Sequence, residues 1–199
     1  MSIDALLLDL GNVFVFHDNV ALMRAFAARS GISGEALAAR LPADFWDRIN
    51  RGRVDEAGIR REFEKALGVV LDPADFFELW NSHFTIHEAL VARVETWVGR
   101  VKLVLLSNTN EPHMRWVRPR LPILRRFDAL VLSYELGLAK PDRAIFEVAL
   151  QRAGVPAARA AFFDDVPEYV EAAGALGIQG RVFTTAEAFD RQLRDLGLG

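Results

Sequence analysis

Four short segments of the 199-residue chain place reactive side chains at the ends of apolar runs. Asp9 ends LLLD at 6–9, Ser107 and Asn108 close the run LVLLSN at 103–108, Lys140 lies in LAKPD at 138–142, and Asp164 and Asp165 end AAFFDD at 160–165. A carboxylate at the C-terminal edge of a buried strand lies where open α/β sheets place their chemistry. There Asp9 could attack phosphorus and form an aspartyl-phosphate that water later cleaves. A capping or turn aspartate is the plainer reading of the same residue. The S-N-T-N segment is a good turn and cap sequence. It also precedes a helix beginning near Pro112, so its hydroxyl, amides and dipole end suit a phosphate.

Asp164 and Asp165 repel one another at the end of a buried run and need a cation. Mg²⁺ is the expected one, because it takes hard oxygen ligands, whereas zinc would want His or Cys. Charge accounting ties the four segments together. The three aspartates carry three negative charges and a phosphate monoester dianion two more, which cannot coexist uncompensated at low dielectric. Mg²⁺ and Lys140 return three positive charges and leave a pocket able to stabilise a transferring phosphoryl group.

The elements that must position these residues follow from hydrophobic patterning. Residues 3–10 form a continuous apolar run, as do 101–107, 127–133 and 160–165, with a shorter one at 180–185. Continuous runs read as strands buried on both faces. Helical patterns at 112–118, 143–153 and 168–176 follow strand ends, which predicts a parallel sheet with right-handed crossovers. From about Phe16 to Arg93 the texture changes. Apolar residues at helical spacing (Leu22, Phe26, Ala27; Ile59, Phe63, Leu67) are punctuated by Gly and Pro, which predicts about four helices and no strand. The segment lies between the first and second core strands, so it reads as a helical lid over Asp9.

Composition sets the remaining bounds. The chain is 51% hydrophobic and 26% charged with net charge −3, which is ordinary for a globular domain and offers no basic excess for nucleic acid or an acidic membrane. It has no cysteine, which excludes disulfides and Cys-ligated zinc. Asp4 and Asp9 come too early for a secretory signal, and no apolar run is long enough for a membrane span. The expectation is a cytoplasmic protein with a small-molecule partner.

The ordered set DLGNV, LSNTN followed by His113, LGLAKPD and FFDD resembles the haloacid dehalogenase (HAD) superfamily over nearly the whole chain. The helical insertion resembles its C1-capped subgroup, and the motifs most resemble the bacterial α-D-glucose-1-phosphate phosphatase branch. The resemblance implies a Rossmann-like α/β core (1–15 and 93–199) with a parallel sheet flanked by helices, and a helical cap (16–92) inserted after strand 1. It implies Asp9 as nucleophile, and Ser107 with the Asn108 amide as phosphate binders. Lys140 would bridge nucleophile and phosphate. Mg²⁺ would be held by Asp9, the Gly11 carbonyl, Asp164 and Asp165.

Two positions depart from the commonest form. Gly11 stands where many relatives have a proton-donating Asp, although the same branch shows DLGNV. Tyr169 stands where that branch has Asn. The missing donor is worth ~10²–10⁴-fold in rate, so a slower enzyme, a good leaving group such as a sugar anomeric oxygen, or a donor from elsewhere is expected. His17 and Asp18, where the cap begins, and His113 are the candidates. For His17 the plain alternative is a cap-hinge residue. His83 and His87 are four apart but lack a visible third ligand, so they read as packing residues. Trp46, Trp80, Trp97 and Trp116 read as core, with one cap tryptophan touching substrate.

The expected activity is Mg²⁺-dependent hydrolysis of a small phosphorylated metabolite, a sugar phosphate first. A 2-haloacid dehalogenase-type hydrolase and a non-catalytic phosphometabolite-binding protein are the alternatives.

Overall fold

The computed structural model describes residues 2–199. Strand β1 (Ala5–Leu8) is wholly buried and leads into a tight turn at 9–14. A two-residue strand, β2 (Val15–Phe16), then opens a helical segment. Helices α1 (Asn19–Ala27), α2 (Gly34–Ala38), α3 (Phe45–Asn50), α4 (Glu56–Leu67) and α5 (Pro73–Asn81) follow. Their starts are marked in the sequence. Asp18, Ser33, Asp55 and Asp72 each accept amide hydrogens of the first turn, and Pro73 adds a preset first position.

These helices bury Leu22, Phe26, Phe45, Phe63, Phe76 and Trp80 in a cluster of their own. The segment holds five helices where about four are expected. It also holds a strand where none is expected: β3 (Thr85–Ile86) pairs antiparallel with β2. Two residues are too few for any alternation to register. The ribbon lays the outgoing and returning chains side by side, so the insertion leaves and re-enters at one place.

Helix α6 (Glu88–Glu95) crosses the expected boundary at 92–93, and its Leu90 and Val94 join the sheet's core. The remaining elements alternate: β4 (Lys102–Ser107), α7 (Glu111–Arg120), β5 (Ala129–Leu132), α8 (Ser133–Leu136), α9 (Arg143–Ala153), β6 (Ala160–Asp164), α10 (Pro167–Gly174), β7 (Gln179–Val182) and α11 (Ala186–Asp195). The five core strands form one parallel sheet in the order β5-β4-β1-β6-β7.

Why the strands read as continuous apolar runs is now visible. On one face Leu6, Leu8, Leu103, Leu105 and Phe163 pack under α6, α7 and α11. On the other, Ala5, Leu7, Val104, Leu106 and Phe162 pack under α9 and α10. With both faces covered, every residue of the central strands β1 and β6 is buried whichever way it points. None of the helices described is long and apolar enough to cross a membrane.

Candidate active site

Because β1 lies between β4 and β6, three strand ends sit together at the carboxyl edge. Asp9 follows β1, Ser107 ends β4 and Asp164 ends β6, all three buried. Lys140 arrives on the loop after α8. Its Nζ donates to Asp9 Oδ1 at 2.7 Å and to Asp164 Oδ2 at 2.5 Å, and the residue is only 3% exposed. The loop is tied down by Asn108. Its Oδ1 accepts the Lys140 amide at 2.8 Å, and its Nδ2 donates to the Lys140 carbonyl at 2.9 Å. The Asn108 side chain therefore positions the lysine, which leaves only its backbone for the phosphate role.

Carboxylate oxygens of Asp9, Asp164 and Asp165 lie within 4.8 Å of one another. Asp164 Oδ1 accepts the Val166 amide at 2.8 Å, and Asp165 Oδ2 accepts from Asn12 Nδ2 at 2.9 Å. Burial pushes the Asp9 carboxyl up to about 7, with Lys140 opposing and the Asp164 charge adding to the rise. Burial also works against the Lys140 ammonium, but Asp9 and Asp164 outweigh it and hold that pKa above the ordinary lysine value. One ammonium thus faces three carboxylates. An all-oxygen donor set of this span and charge fits a hard divalent cation. Tyr169 contributes after all. Asn108 Nδ2 donates to its hydroxyl at 3.4 Å, and its ring lies 5.1 Å from Lys140 Nζ, close enough for a cation–π contact.

The turn after Asp9 is shaped by Asn12, which adopts the left-handed conformation at φ 51°. Its side chain also accepts the His17 amide at 3.2 Å. The chain therefore folds back, and His17 comes to face Gly11. A Cβ at Gly11 would lie 3.0 Å from His17 Nε2 and 3.7 Å from Asp9 Oδ2. The imidazole edge occupies space that a side chain at position 11 would need. Burial lowers the His17 pKa, with Asp165 and Asp18 working in the opposite direction.

A cavity of about 130 Å³ opens at these strand ends, lined by Gly11, Ser107, Asn108 and His113 from the core side, and by His17, Asn19, Trp46, Asn50 and His83 from the segment that follows β2. His113 has a definite role in it. Asn110 Oδ1 accepts from the His113 amide at 3.0 Å and from Trp80 Nε1 at 3.4 Å, so Asn110 Nδ2 must donate to His113 Nδ1 at 2.9 Å. The hydrogen therefore sits on Nε2, which has no partner among the described residues. Burial drives the His113 pKa well down, so the ring is a neutral hydrogen-bond donor.

Asp18 is not brought to the cavity. It is exposed and caps α1, accepting the Val20 and Ala21 amides at 2.8 and 3.0 Å. Those bonds, the Ala21 amide foremost, lower its pKa. His83 and His87 do not share a helix, because β3 separates them. His83 faces the cavity, while His87 Nδ1 meets the Val13 carbonyl at 2.9 Å. Trp80 is fully buried and stacks on His113, with ring centroids 5.2 Å apart, and Trp46 is the tryptophan at the cavity wall.

Among the residues of the site that the sequence did not single out are Asn12 and Ser133. Asn12 carries a weak signal, since Asn after Gly suits a left-handed turn. Ser133 carries none. Its buried hydroxyl accepts the Thr109 amide at 2.9 Å and donates to the Thr109 carbonyl at 3.1 Å, bracing the loop after β4.

Known proteins resemble this arrangement to different degrees. The chain is 25% identical over 197 residues to drimenol cyclase drtB of Aspergillus calidoustus, covering 96% of this chain and 36% of that protein. It is 38% identical over 139 residues to mouse acyl-CoA dehydrogenase family member 10, covering 67% of this chain and 13% of the relative. It thus spans about a third or less of these curated relatives. Among solved structures, a HAD family enzyme of Bacteroides thetaiotaomicron superposes with a TM-score of 0.89 at 24% identity, over 98% of this chain and 100% of the other. The same enzyme in complex with magnesium and inorganic phosphate gives 0.81 at 25% identity, over 92% and 94%. The family model of haloacid dehalogenase-like hydrolases matches residues 3–177, a span that takes in Asp9, Ser107, Lys140, Asp164 and Asp165. The chain belongs to the haloacid dehalogenase-like hydrolases.

Proposed function

We propose that the protein is a C1-capped phosphomonoesterase that passes the phosphoryl group of a small phosphorylated metabolite to Asp9 and then to water. The observation that carries this reading is the Lys140 ammonium shared by Asp9 and Asp164 while Asp165 converges on the same point. The helices between 16 and 92 serve as the cap over a core made of 1–15 and 93–199. Asp9, Asp164, Asp165 and the Gly11 carbonyl would hold Mg²⁺, which when bound offsets the negative charge of the phosphoryl oxygens. The complex of the similar Bacteroides enzyme with magnesium and phosphate supports this.

The chain's own groups divide the work. Lys140 occupies Asp9 Oδ1, so Oδ2 is the oxygen that attacks phosphorus. The P–O(ester) bond breaks as the Asp9–phosphorus bond forms, and the Ser107 hydroxyl and Asn108 amide hold the phosphoryl oxygens. His17, standing in the space of a residue-11 side chain, gives a proton to the departing alkoxide. His113 Nε2–H donates a hydrogen bond to a substrate oxygen. Water then attacks phosphorus and returns a proton to His17 as the Asp9–phosphorus bond breaks, restoring Asp9 and releasing inorganic phosphate.

A dehalogenase uses the same nucleophile on carbon and has no use for two further carboxylates beside it. The test is phosphate release from sugar phosphates and other small phosphate monoesters, with Mg²⁺ and with chelator, for the native protein and Asp9→Asn. Release is expected only from the native protein with Mg²⁺. Turnover that survives chelation or Asp9→Asn refutes the mechanism.

A further inference from the structure

The strand-end cavity is small. Its volume of about 130 Å³ falls below the ~300–1,000 Å³ typical of small-molecule sites. A phosphoryl group and a few further atoms fill it, so the rest of any larger substrate must lie elsewhere. A second cavity of about 750 Å³ lies within the helical segment, between α1 and the α2–α3 region. The two cavities share Asn19 and Trp46 as walls. Trp46 stacks on Trp80 at 5.9 Å, and Trp80 stacks on His113 at 5.2 Å, so one aromatic series runs from the larger cavity to the phosphate end of the smaller.

The larger cavity is walled chiefly by apolar side chains: Met23, Ile32, Leu41, Phe45 and Trp46, with Val20 at 59% exposure. An exposed valine beside a preformed apolar hollow is uncovered surface that a ligand can take from water. Arg24 and Glu35 also border the cavity but carry opposite charges, so they set no preference for a charged occupant.

We propose that the larger cavity is the subsite for an apolar group of the substrate. The phosphate ester of a hydrocarbon alcohol would place its head at Ser107 and Asn108 and run past Asn19 and Trp46 into the helical segment. This rests on the phosphomonoesterase reading and narrows its substrate class away from sugars.

The experiment uses 4-alkylphenyl phosphates, methyl to octyl, in which chain length grows while the leaving group stays nearly constant. With Mg²⁺ present, kcat/KM is expected to rise about four-fold per methylene, the factor for burying one CH₂, until the chain outruns the cavity. Glucose 1-phosphate should be turned over less efficiently than the octyl ester. Calorimetric binding of the same esters to Asp9→Asn gives the chain-length slope without turnover. Val20→Glu and Ala38→Glu, both at exposed wall positions, put a charge into the hollow and should cut the octyl-to-methyl ratio at least ten-fold.

A flat series in both measurements overturns the subsite, as does a slope that both variants leave intact. A dimer that Val20→Glu dissolves also overturns it, because the apolar wall would then be an interface between copies. Turnover without a slope removes the subsite and keeps the phosphatase. A binding slope without turnover of any ester does the reverse.

Discussion

Lys140→Met removes the one ammonium that joins Asp9 and Asp164 while keeping a side chain of similar length. At 2.7 Å and an effective dielectric of about 20, the Lys140–Asp9 attraction is roughly 6 kcal/mol, and the contact with Asp164 is of the same order. Against these stand the cost of burying the ammonium, several kcal/mol, and the mutual repulsion of the carboxylates that remains either way. Removing one partner of a buried pair typically leaves a net loss of about 3–5 kcal/mol, because the other charge stays buried and unpaired. The variant should therefore unfold in chelator at clearly lower urea concentration than the native protein, with an unchanged denaturant slope. A divalent cation held by the same three carboxylates replaces the lost charge, so saturating Mg²⁺ should stabilise the variant more than the native protein. At a hundred times the dissociation constant the gain is about 2.7 kcal/mol. Adding Asp9→Asn to Lys140→Met removes an unpaired carboxylate and should recover part of the loss, a coupling that a double-mutant cycle reads directly. If Lys140→Met is as stable as the native protein in chelator, or if Mg²⁺ helps both equally, the electrostatic account of the site is wrong.

Other expectations concern single contacts. Gly52, at φ 66°, packs on the Tyr134 carbonyl, and a Cβ there would lie 2.2 Å from that oxygen. Gly52→Ala should cost at least ~1–2 kcal/mol in chemical denaturation from the left-handed backbone alone, and a loss below 0.5 kcal/mol would contradict the close approach. Burial lowers the His83 pKa to about 4, with His17 adding to the fall and Asp18 opposing it, while the His113 ring lies edge-on to it at 6.4 Å. The unfolded chain therefore binds an extra proton between about pH 6.5 and 4, so this contribution is present above 6.5 and lost on acidification. With partial exposure discounted the loss is about 1–2 kcal/mol. His83→Gln should flatten that part of the stability profile, and an unchanged profile would remove His83 as its source. His17→Ala should slow alkyl phosphates by up to ~10²–10⁴-fold and p-nitrophenyl phosphate far less. Equal losses on both substrates would exclude His17 as the proton donor.

Residue order alone carries the local elements and their chemistry. Strands buried on both faces must be continuous apolar runs, so β1, β4, β5 and β6 were legible along with the Asp9, Ser107 and Asp164 that end them. Helix starts carry a local mark, as the capping Asp55 and Asp72 do, but apolar spacing alone read about four helices where there are five. Contacts between distant segments were not, because spacing along a chain says nothing of which strands become neighbours. The strand order decided that Asp9, Asp164 and Lys140 meet. The turn at Asn12 decided that His17 stands against Gly11, and the bonds of Asn110 decided which nitrogen of His113 carries the hydrogen. The β2–β3 ribbon escaped notice because a two-residue strand has no period to detect, yet it closes the insertion on itself. The cavity within the helical segment, with Trp46 in its wall, is likewise a product of packing alone, since a hollow is defined by side chains that several helices fail to bring together.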